Sequence, residues 1–324
     1  MPELYSQLRT FGHVKLNEPM SKHTTLKIGG PVDFFLTIDS TEKVAEALKF
    51  LDGEGVPYFI VGGGSNMLVH DEGYHGVAIK ILDSKFQILD SLVEASAGCI
   101  TVEIAQKSIA GGLTGFEWGV GVPGTIGGAV RGNAGAMGGE MKDAVEEVEV
   151  YRNGEIEKLG NEECKFGYRD SVFKHEGGVV LRVRLRLRLR EPNEMGGMRA
   201  ALENLQYRNK TQPQGYASIG CIFKNLEFGI WNLENDPKFQ ILNSRFQIPA
   251  EFIKRGKISV GWLVEQAGMK GVRVGNAQVS ERHGNFIVNL GGATANDVIA
   301  LIAQVKEKVY DRCGVEIEEE IQII

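Results

Sequence analysis

Four polar clusters in this chain gather groups that could donate, accept or carry charge: Tyr168-Arg169-Asp170-Ser171, residues 218–225 (SIGCIFKN), His283-Gly284-Asn285-Phe286, and Glu318-Glu319-Glu320. An arginine offers a rigid, permanently charged donor fork that suits a carboxylate. A cysteine thiol, with an unperturbed pKa of about 8.5, releases a proton near neutrality more readily than an alcohol does. A carboxyl group needs burial to keep its proton at neutral pH. Each also has a plain structural reading: Arg169 paired with Asp170 or Glu163, Tyr168 as a packed aromatic, Cys221 as a small buried hydrophobe, Glu320 as one more tail charge. None of the clusters has the spacing of a metal motif, a nucleophile elbow or a G-x-x-x-x-G-K-[ST] loop.

Glycine supplies a second kind of chemistry. Residues 111–140 read GGLTGFEWGVGVPGTIGGAVRGNAGAMGGE, and Val61-Gly62-Gly63-Gly64-Ser65-Asn66 follows the apolar Tyr58-Phe59-Ile60. A flexible linker would be polar and repetitive, whereas Phe116, Trp118, Val120, Val122, Ile126 and Val130 interleave with these glycines. The run is therefore ordered, and its glycines serve either tight turns alone or the close approach of backbone to a phosphate-bearing cofactor, whose pyrophosphate would meet bare N–H groups. The string Gly119-Val120-Gly121-Val122-Pro123-Gly124 satisfies G-x-G-x-x-G, but it lacks a clean preceding strand and runs into more glycine, which weighs against a Rossmann site.

Composition narrows the class. The chain has 324 residues, 43% of them hydrophobic, enough for two or three domains with buried cores. A net charge of -6 with scattered basic residues argues against nucleic acid or anionic membrane as a partner, so any anionic ligand must be gripped locally. No window approaches 18 consecutive apolar residues, and Met1-Pro2-Glu3-Leu4-Tyr5 lacks a secretory pattern, so a cytoplasmic location is expected. Cys99, Cys164, Cys221 and Cys313 have no metal-like spacing, and no metal is expected.

The elements that must position these groups alternate. Strands are predicted at 33–38, 58–61, 76–81 and 92–95, with one helix capped by Asp39 with Glu42 and running toward Leu51 and another over 101–110. Strands dominate 145–189, where VVLRVRLRLRLR (179–190) alternates with period two and sends its arginines to a solvated face. A helix is read over 193–209, then Thr211-Gln212-Pro213-Gln214-Gly215 marks a boundary. Beyond it come a short helix over 260–267 stopped by Gly268, a strand at 286–288, and a final helix headed by Thr294 and Asp297 and ended by Gly314. Residues 315–321 read as extended, returning to a sheet or to the rim of a site.

In order along the chain, the motifs resemble those of the flavin-dependent UDP-N-acetylenolpyruvoylglucosamine reductases. The likeness rests on Thr25-Leu26-Lys27-Ile28-Gly29-Gly30, Gly62-Gly63-Gly64-Ser65-Asn66-Met67-Leu68-Val69, Val122-Pro123-Gly124-Thr125-Ile126-Gly127-Gly128-Ala129, Asn133-Ala134-Gly135-Ala136, and Tyr168-Arg169-Asp170-Ser171. It continues in Gly220-Cys221-Ile222-Phe223-Lys224-Asn225, Ala267-Gly268-Met269-Lys270-Gly271 and His283-Gly284-Asn285-Phe286-Ile287-Val288-Asn289, so it covers nearly the whole chain.

The resemblance implies an α+β fold with two FAD-binding domains of the vanillyl-alcohol oxidase type and a C-terminal substrate-binding domain. The corresponding segments are 1–88, 89–210 and 211–314, with a tail at 315–324 carrying a catalytic glutamate. It further implies a cytoplasmic enzyme of peptidoglycan synthesis, hence of cell wall biogenesis, cell shape and cell division. That enzyme uses non-covalent FAD and NADPH to reduce UDP-N-acetylglucosamine enolpyruvate to UDP-N-acetylmuramate. By the same resemblance, Gly62, Gly63, Gly64, Ser65, Asn66, Gly121, Pro123, Gly124, Thr125, Gly127 and Gly128 hold the cofactor. Arg169 stabilises the substrate carboxylate, Glu320 stabilises or polarises the intermediate, and Cys221 protonates it where most members carry serine. Tyr168, Lys224, Asn225 and His283 face the substrate side; for Lys224 and Asn225 a carboxylate, a diphosphate and the nicotinamide cofactor are all chemically admissible, and His283 reads as structural support rather than as a proton carrier. Competing readings are a related FAD oxidase or dehydrogenase with another substrate, or a non-enzymatic nucleotide-diphosphate-binding module. Residues 226–259, with Phe228, Trp231, Phe239, Phe246 and Phe252, depart from a minimal family member and form a lid, an intersubunit contact or a surface embellishment.

Overall fold

The consecutive apolar residues Phe34, Phe35 and Leu36 make the middle of the strand Pro31–Ile38 buried on both faces, and in the structure it lies inside a four-stranded sheet. The order is His13–Pro19, Pro31–Ile38, Tyr74–Ile81, Tyr58–Val61, antiparallel at the first pair and parallel at the other two. The computed structural model describes residues 2–191, 197–228, 236–254 and 256–324. They divide into two units: 1–19, 31–64 and 74–210 in the first, and 20–30, 65–73 and 211–324 in the second.

In the first unit the helix Thr41–Gly53 buries Val44, Ala45, Ala47, Leu48 and Leu51. Its cap is Ser40, whose hydroxyl accepts the Lys43 N–H, and not Asp39 as the sequence reading had it. A serine hydroxyl at the residue directly before the helix meets the third N–H, which a side chain one position earlier does not reach. The helix Thr101–Ala110 falls where it was predicted. A second, wholly antiparallel sheet runs Glu155–Gly160, Val145–Arg152, Val179–Arg186, Leu92–Ser96, Phe86–Leu89.

The period-two pattern of Val179–Arg186 does what it promised. Val183 and Leu185 are buried, while Arg182 pairs with Glu149 and Glu42, Arg184 with Glu94, and Arg186 with Glu146. The ladder stops at Arg186; Arg188–Leu189 leaves to pair with Leu113–Thr114. Of the helix read over 193–209, the described part is Gly197–Thr211; Asn193 and Gly196 lie outside the described residues.

The second unit is built on a sheet in the order Ala217–Cys221, Phe286–Asn289, Ala277–Val279, Arg273–Val274. The final helix, Ala295–Cys313, starts with a capping box between Thr294 and Asp297 and ends at Gly314 in the left-handed conformation, φ 72°. Its buried face is Val298, Leu301, Ile302, Val305 and Val309. Asp71, from the early segment, accepts the N–H groups of Ala295 and Asn296 at 2.7 and 2.9 Å and so anchors the same helix end. The tail returns to a sheet: Gln322–Ile323 lies parallel to Met67–Leu68. Within 226–259, short strands Leu226–Glu227, Ile253–Lys254 and Lys257–Ile258 form a small sheet beside the helix Pro237–Phe246. Phe246 and Phe252 pack on Trp262, and Phe228 on Phe239, so these aromatics build core; Trp231 lies outside the described residues. Among the described residues no helix is long and apolar enough to cross a membrane, and no cluster of metal-ligating side chains occurs.

Candidate active site

The first unit carries the glycine turns. A Cβ at Gly63 would stand 2.6 Å from the Cα of Gly124, and one at Gly62 would stand 2.7 Å from Thr125 Oγ1, so the two turns meet backbone to backbone. Gly64 and Gly124 have φ of 63° and 105°, which side-chain-bearing residues rarely adopt. Gly121 is covered by Arg208, whose Cδ would lie 2.6 Å from an added Cβ, and Gly127 packs on Ala97.

The N–H groups of this turn are less available than the sequence reading supposed. Ile126 donates to Cys99 O at 2.8 Å, Gly127 to Ala97 O at 3.0 Å, and Gly128 to Thr125 Oγ1 at 3.4 Å. What the paired turns present is chiefly a side-chain-free ledge, with Pro123 and Gly128 exposed on it. A dinucleotide with a flat ring system and a central diphosphate needs such close backbone approach, and in that respect these residues fit FAD.

Arg169 lies on a tight loop of the same unit, closed by reciprocal bonds between Gly167 and Asp170, with its own backbone left-handed at φ 54°. Its guanidinium donates to Asn133 O at 3.3 Å and to Gly135 O at 2.6 Å, and sits 5.4 Å from the centroid of the Tyr168 ring. The carboxylates that a structural pairing would have used are engaged elsewhere. Asp170 binds His175 at 2.8 Å, and Glu163 accepts the Gly160 N–H at 2.7 Å. Burial raises the Asp170 pKa, but the bonds from His175 and the Ser171 backbone outweigh it and leave the carboxyl below its usual range. The loop is anchored by Ser171 Oγ, which donates to Arg131 O at 2.6 Å, and by Lys174 Nζ, which donates to Arg169 O at 2.6 Å.

The second unit brings Cys221 and Glu320 onto neighbouring backbone. Cys221 ends the strand Ala217–Cys221, opposite Phe286, after a bulge in which Gly220 takes φ 82°. The tail runs beside the next residues: Glu320 N–H donates to Ile222 O at 2.7 Å, Phe223 bridges Glu319, and Lys224 N–H donates to Glu318 O at 2.9 Å. Asn66 Nδ2 donates to Glu320 O at 3.0 Å, which joins the end of the 62–66 turn, Ser65 and Asn66, to the tail. Cys221 and Glu320 are both half-buried.

The remaining candidates divide. Lys224 Nζ is held by Glu318 at 3.2 Å. Asn225 Oδ1 accepts the Val260 N–H at 3.1 Å and thereby caps the helix Val260–Gln266. His283 is structural in its surroundings: Nδ1 accepts the Asn285 N–H at 3.2 Å, the ring meets Phe286 edge-on, and Gly261 has no room for a Cβ against it. Burial, with a smaller contribution from Lys270, pulls its pKa below the usual histidine value.

Two asparagines that directly follow a glycine in the motifs, Asn133 and Asn285, had no role assigned from sequence. Asn133 is fully buried and left-handed, φ 39°, and its amide binds Glu140, Gly167 O and Lys142 N–H. Asn285, 2% exposed, binds both the N–H and the C=O of Phe223, at 2.9 and 2.8 Å, as a strand partner would. The sequence signal was an asparagine next to glycine inside a motif, where a short amide both tolerates unusual backbone and substitutes for a peptide group.

Residues 212–324 match the family model described as UDP-N-acetylenolpyruvoylglucosamine reductase, C-terminal domain, and residues 32–160 match the FAD binding domain model. The chain is 39% identical over 315 residues to the UDP-N-acetylenolpyruvoylglucosamine reductase of Heliobacterium modesticaldum, covering 95% of this chain and 89% of that one. It is 38% identical to the enzyme of that name from Anoxybacillus flavithermus, covering 97% and 95% of the two chains. The crystal structure of UDP-N-acetylenolpyruvylglucosamine reductase from Thermus caldophilus superimposes with a TM-score of 0.73 at 35% identity, over 96% of this chain and 98% of that one.

Proposed function

This chain belongs to the UDP-N-acetylenolpyruvoylglucosamine reductase family, and from that premise we infer that it reduces UDP-N-acetylglucosamine enolpyruvate to UDP-N-acetylmuramate through FAD, with NADPH as reductant. The fold is α+β, with an FAD-binding part of the vanillyl-alcohol oxidase type and a C-terminal substrate-binding part. Within it, 1–88 and 89–210 are assigned as two FAD-binding subdomains, 211–314 as the substrate domain and 315–324 as its tail. The reaction serves peptidoglycan synthesis in the cytoplasm, and the negative net charge accords with a soluble nucleotide-sugar substrate rather than nucleic acid or lipid.

The paired glycine turns would hold FAD, which when bound would supply hydride transfer between NADPH and the enolpyruvyl group. The protein's own residues manage the charge and the proton that this leaves. Hydride addition spreads negative charge between the adjacent carbon and its carboxylate. Arg169, a permanent cation whose donor fork is oriented by the carbonyls of Asn133 and Gly135, stabilises that carboxylate. Cys221 then gives its proton to the carbon, and Glu320 polarises the intermediate as it forms. Gly62 to Gly64 and Gly121 to Gly128 receive the cofactor on their shared ledge, with Ser65 and Asn66 at the end of the first turn. Tyr168 steadies Arg169, Lys224 and Asn225 bind the anionic end of the substrate, and His283 supports them.

The observation that supports the residue assignment is the Glu320 N–H to Ile222 O bond at 2.7 Å, which puts the main chain of the tail at Glu320 beside the residue that follows Cys221. The test separates the half reactions. Under anaerobic conditions NADPH should bleach the flavin of the Cys221→Ala variant at the normal rate. Reoxidation by UDP-N-acetylglucosamine enolpyruvate should then be slowed by about 10²-fold or more. Product formation at the unaltered rate would remove Cys221 as the proton donor.

A further inference from the structure

Asn133 touches the Arg169 loop in two ways. Its side-chain Nδ2 donates to Gly167 O at 2.7 Å, holding the loop that carries Arg169, while its main-chain oxygen accepts from the Arg169 guanidinium at 3.3 Å. The same Nδ2 donates to Glu140 Oε2 at 2.7 Å, and Oδ1 accepts the Lys142 N–H at 3.0 Å. Both amide hydrogens and the amide oxygen are thus used, at a residue with no exposed surface. Glu140 is in turn bound by Lys142 Nζ at 2.8 Å and sits opposite Gly135, the residue whose carbonyl takes the second guanidinium bond.

Of the two carbonyls that aim the guanidinium, one is that of Asn133 itself and the other that of Gly135, two residues on; the left-handed backbone at Asn133 is held by the bonds of its amide together with main-chain bonds from its own N–H to Val130 O and from Ala134 N–H to Ala129 O. A neutral carbonyl orients a cation without cancelling its charge, which suits an arginine that must meet an anion. Sub-ångström errors in such an orientation cost rate rather than affinity when the charge develops only in the transition state.

We propose that Asn133 is the positioning residue for Arg169: its buried amide clamps the Arg169 loop to the Glu140 hairpin and sets the direction of the guanidinium. This rests on the reading that Arg169 stabilises the substrate carboxylate. Asn133 touches neither substrate nor cofactor in this role. It acts only through Arg169.

The test uses the FAD-loaded enzyme and four proteins: wild type, Asn133→Gly, Arg169→Met and the double variant. Glycine retains the left-handed backbone, so the substitution deletes the amide without adding strain. Flavin reduction by NADPH should stay within about twofold of wild type in Asn133→Gly, while the substrate-dependent reoxidation falls at least about tenfold. In the Arg169→Met background the same change should cost less than about twofold, because a residue acting through the guanidinium has nothing left to orient. If Asn133→Gly does not load FAD, Glu140→Ala takes its place: it removes the acceptor of one Asn133 amide hydrogen and the Lys142 pairing while leaving Asn133 and its bond to Gly167 O, and should slow reoxidation with the same dependence on Arg169. Equal losses from Asn133→Gly in both backgrounds, or a loss confined to FAD content, would overturn the positioning role. An Arg169→Met variant that reoxidises normally would instead reject the reading on which it stands.

Discussion

Replacing Asn285 by alanine should loosen the second unit at the point where the proposed proton donor and the tail meet. Asn285 and Phe223 are 2% and 1% exposed, so neither the N–H nor the C=O of Phe223 can turn to water when the amide is removed. An orphaned buried polar group costs about 1–3 kcal/mol, and two of them, with some relaxation, come to about 3 kcal/mol. At 1.4 kcal/mol per decade that is roughly a hundredfold in the local opening equilibrium. The assay is native-state hydrogen exchange on peptides covering 217–223 and 286–289, because two units need not unfold together and a single global transition would blur the effect. Protection in those peptides should drop about a hundredfold, while the Val179–Arg186 strand of the first unit keeps its protection. A change of less than about threefold would show that the clamp contributes little, and the argument from buried unsatisfied groups would fail here.

Other expectations follow from the same geometry. Gly63→Ala puts a methyl group within 2.6 Å of the Gly124 backbone, so the turns must part, and the purified variant should hold at least about tenfold less FAD per chain by absorbance after denaturation. Burial lowers the folded-state pKa of His283, so the unfolded chain takes up the proton first; the stability this gives is full above about pH 6.5 and fades as pH falls toward the lowered value, a slope that His283→Gln should flatten in denaturation series. Arg184→Ala should change thermal stability by less than about 1 kcal/mol, since its pairing with Glu94 lies at the surface with about a third of each side chain open to solvent, and a larger loss would give the arginine face a role beyond solvation. Removing residues 322–324 should strip the strand partner from Met67–Leu68 and lower protection of that segment, read by the same exchange experiment.

Local patterns were the most legible part of the chain. The alternation at 179–186, the Thr294 and Asp297 box and the Gly314 stop each depend on neighbours within a few residues, and each appears where it was expected. The cap at Ser40 instead of Asp39 shows the margin of such readings, since both residue types suit the position and only backbone geometry chooses. Long-range assembly was not legible. Nothing in the composition of 20–30 or 65–73 says that they pack with residues beyond 211, nor that Asp71 would cap a helix starting at Ala295. At the candidate site, side-chain types pointed to Arg169, Cys221 and Glu320; for Asn133 and Asn285 the neighbouring glycine was a local signal, but residue order does not name their hydrogen-bond partners, Gly167, Lys142 and Glu140 for the one and Phe223 for the other. At the glycine turns the structure shows close approach of one backbone to the other, Gly63 to Gly124, and the N–H groups of the second turn are partly committed to Cys99, Ala97 and Thr125, a matter of tertiary contact.

The parallel pairing of Gln322–Ile323 with Met67–Leu68, with Asn66 bound to Glu320 across 254 residues, has a consequence for synthesis on the ribosome. At roughly 5–20 residues per second, the early strand waits about 13 to 50 s for its partner to be made. During that wait the paired form of Met67–Leu68 is out of reach, and an apolar strand edge stands open to other chains. Chaperone demand during translation should therefore peak late, and slow codons downstream of residue 73 would lengthen the exposure of that edge.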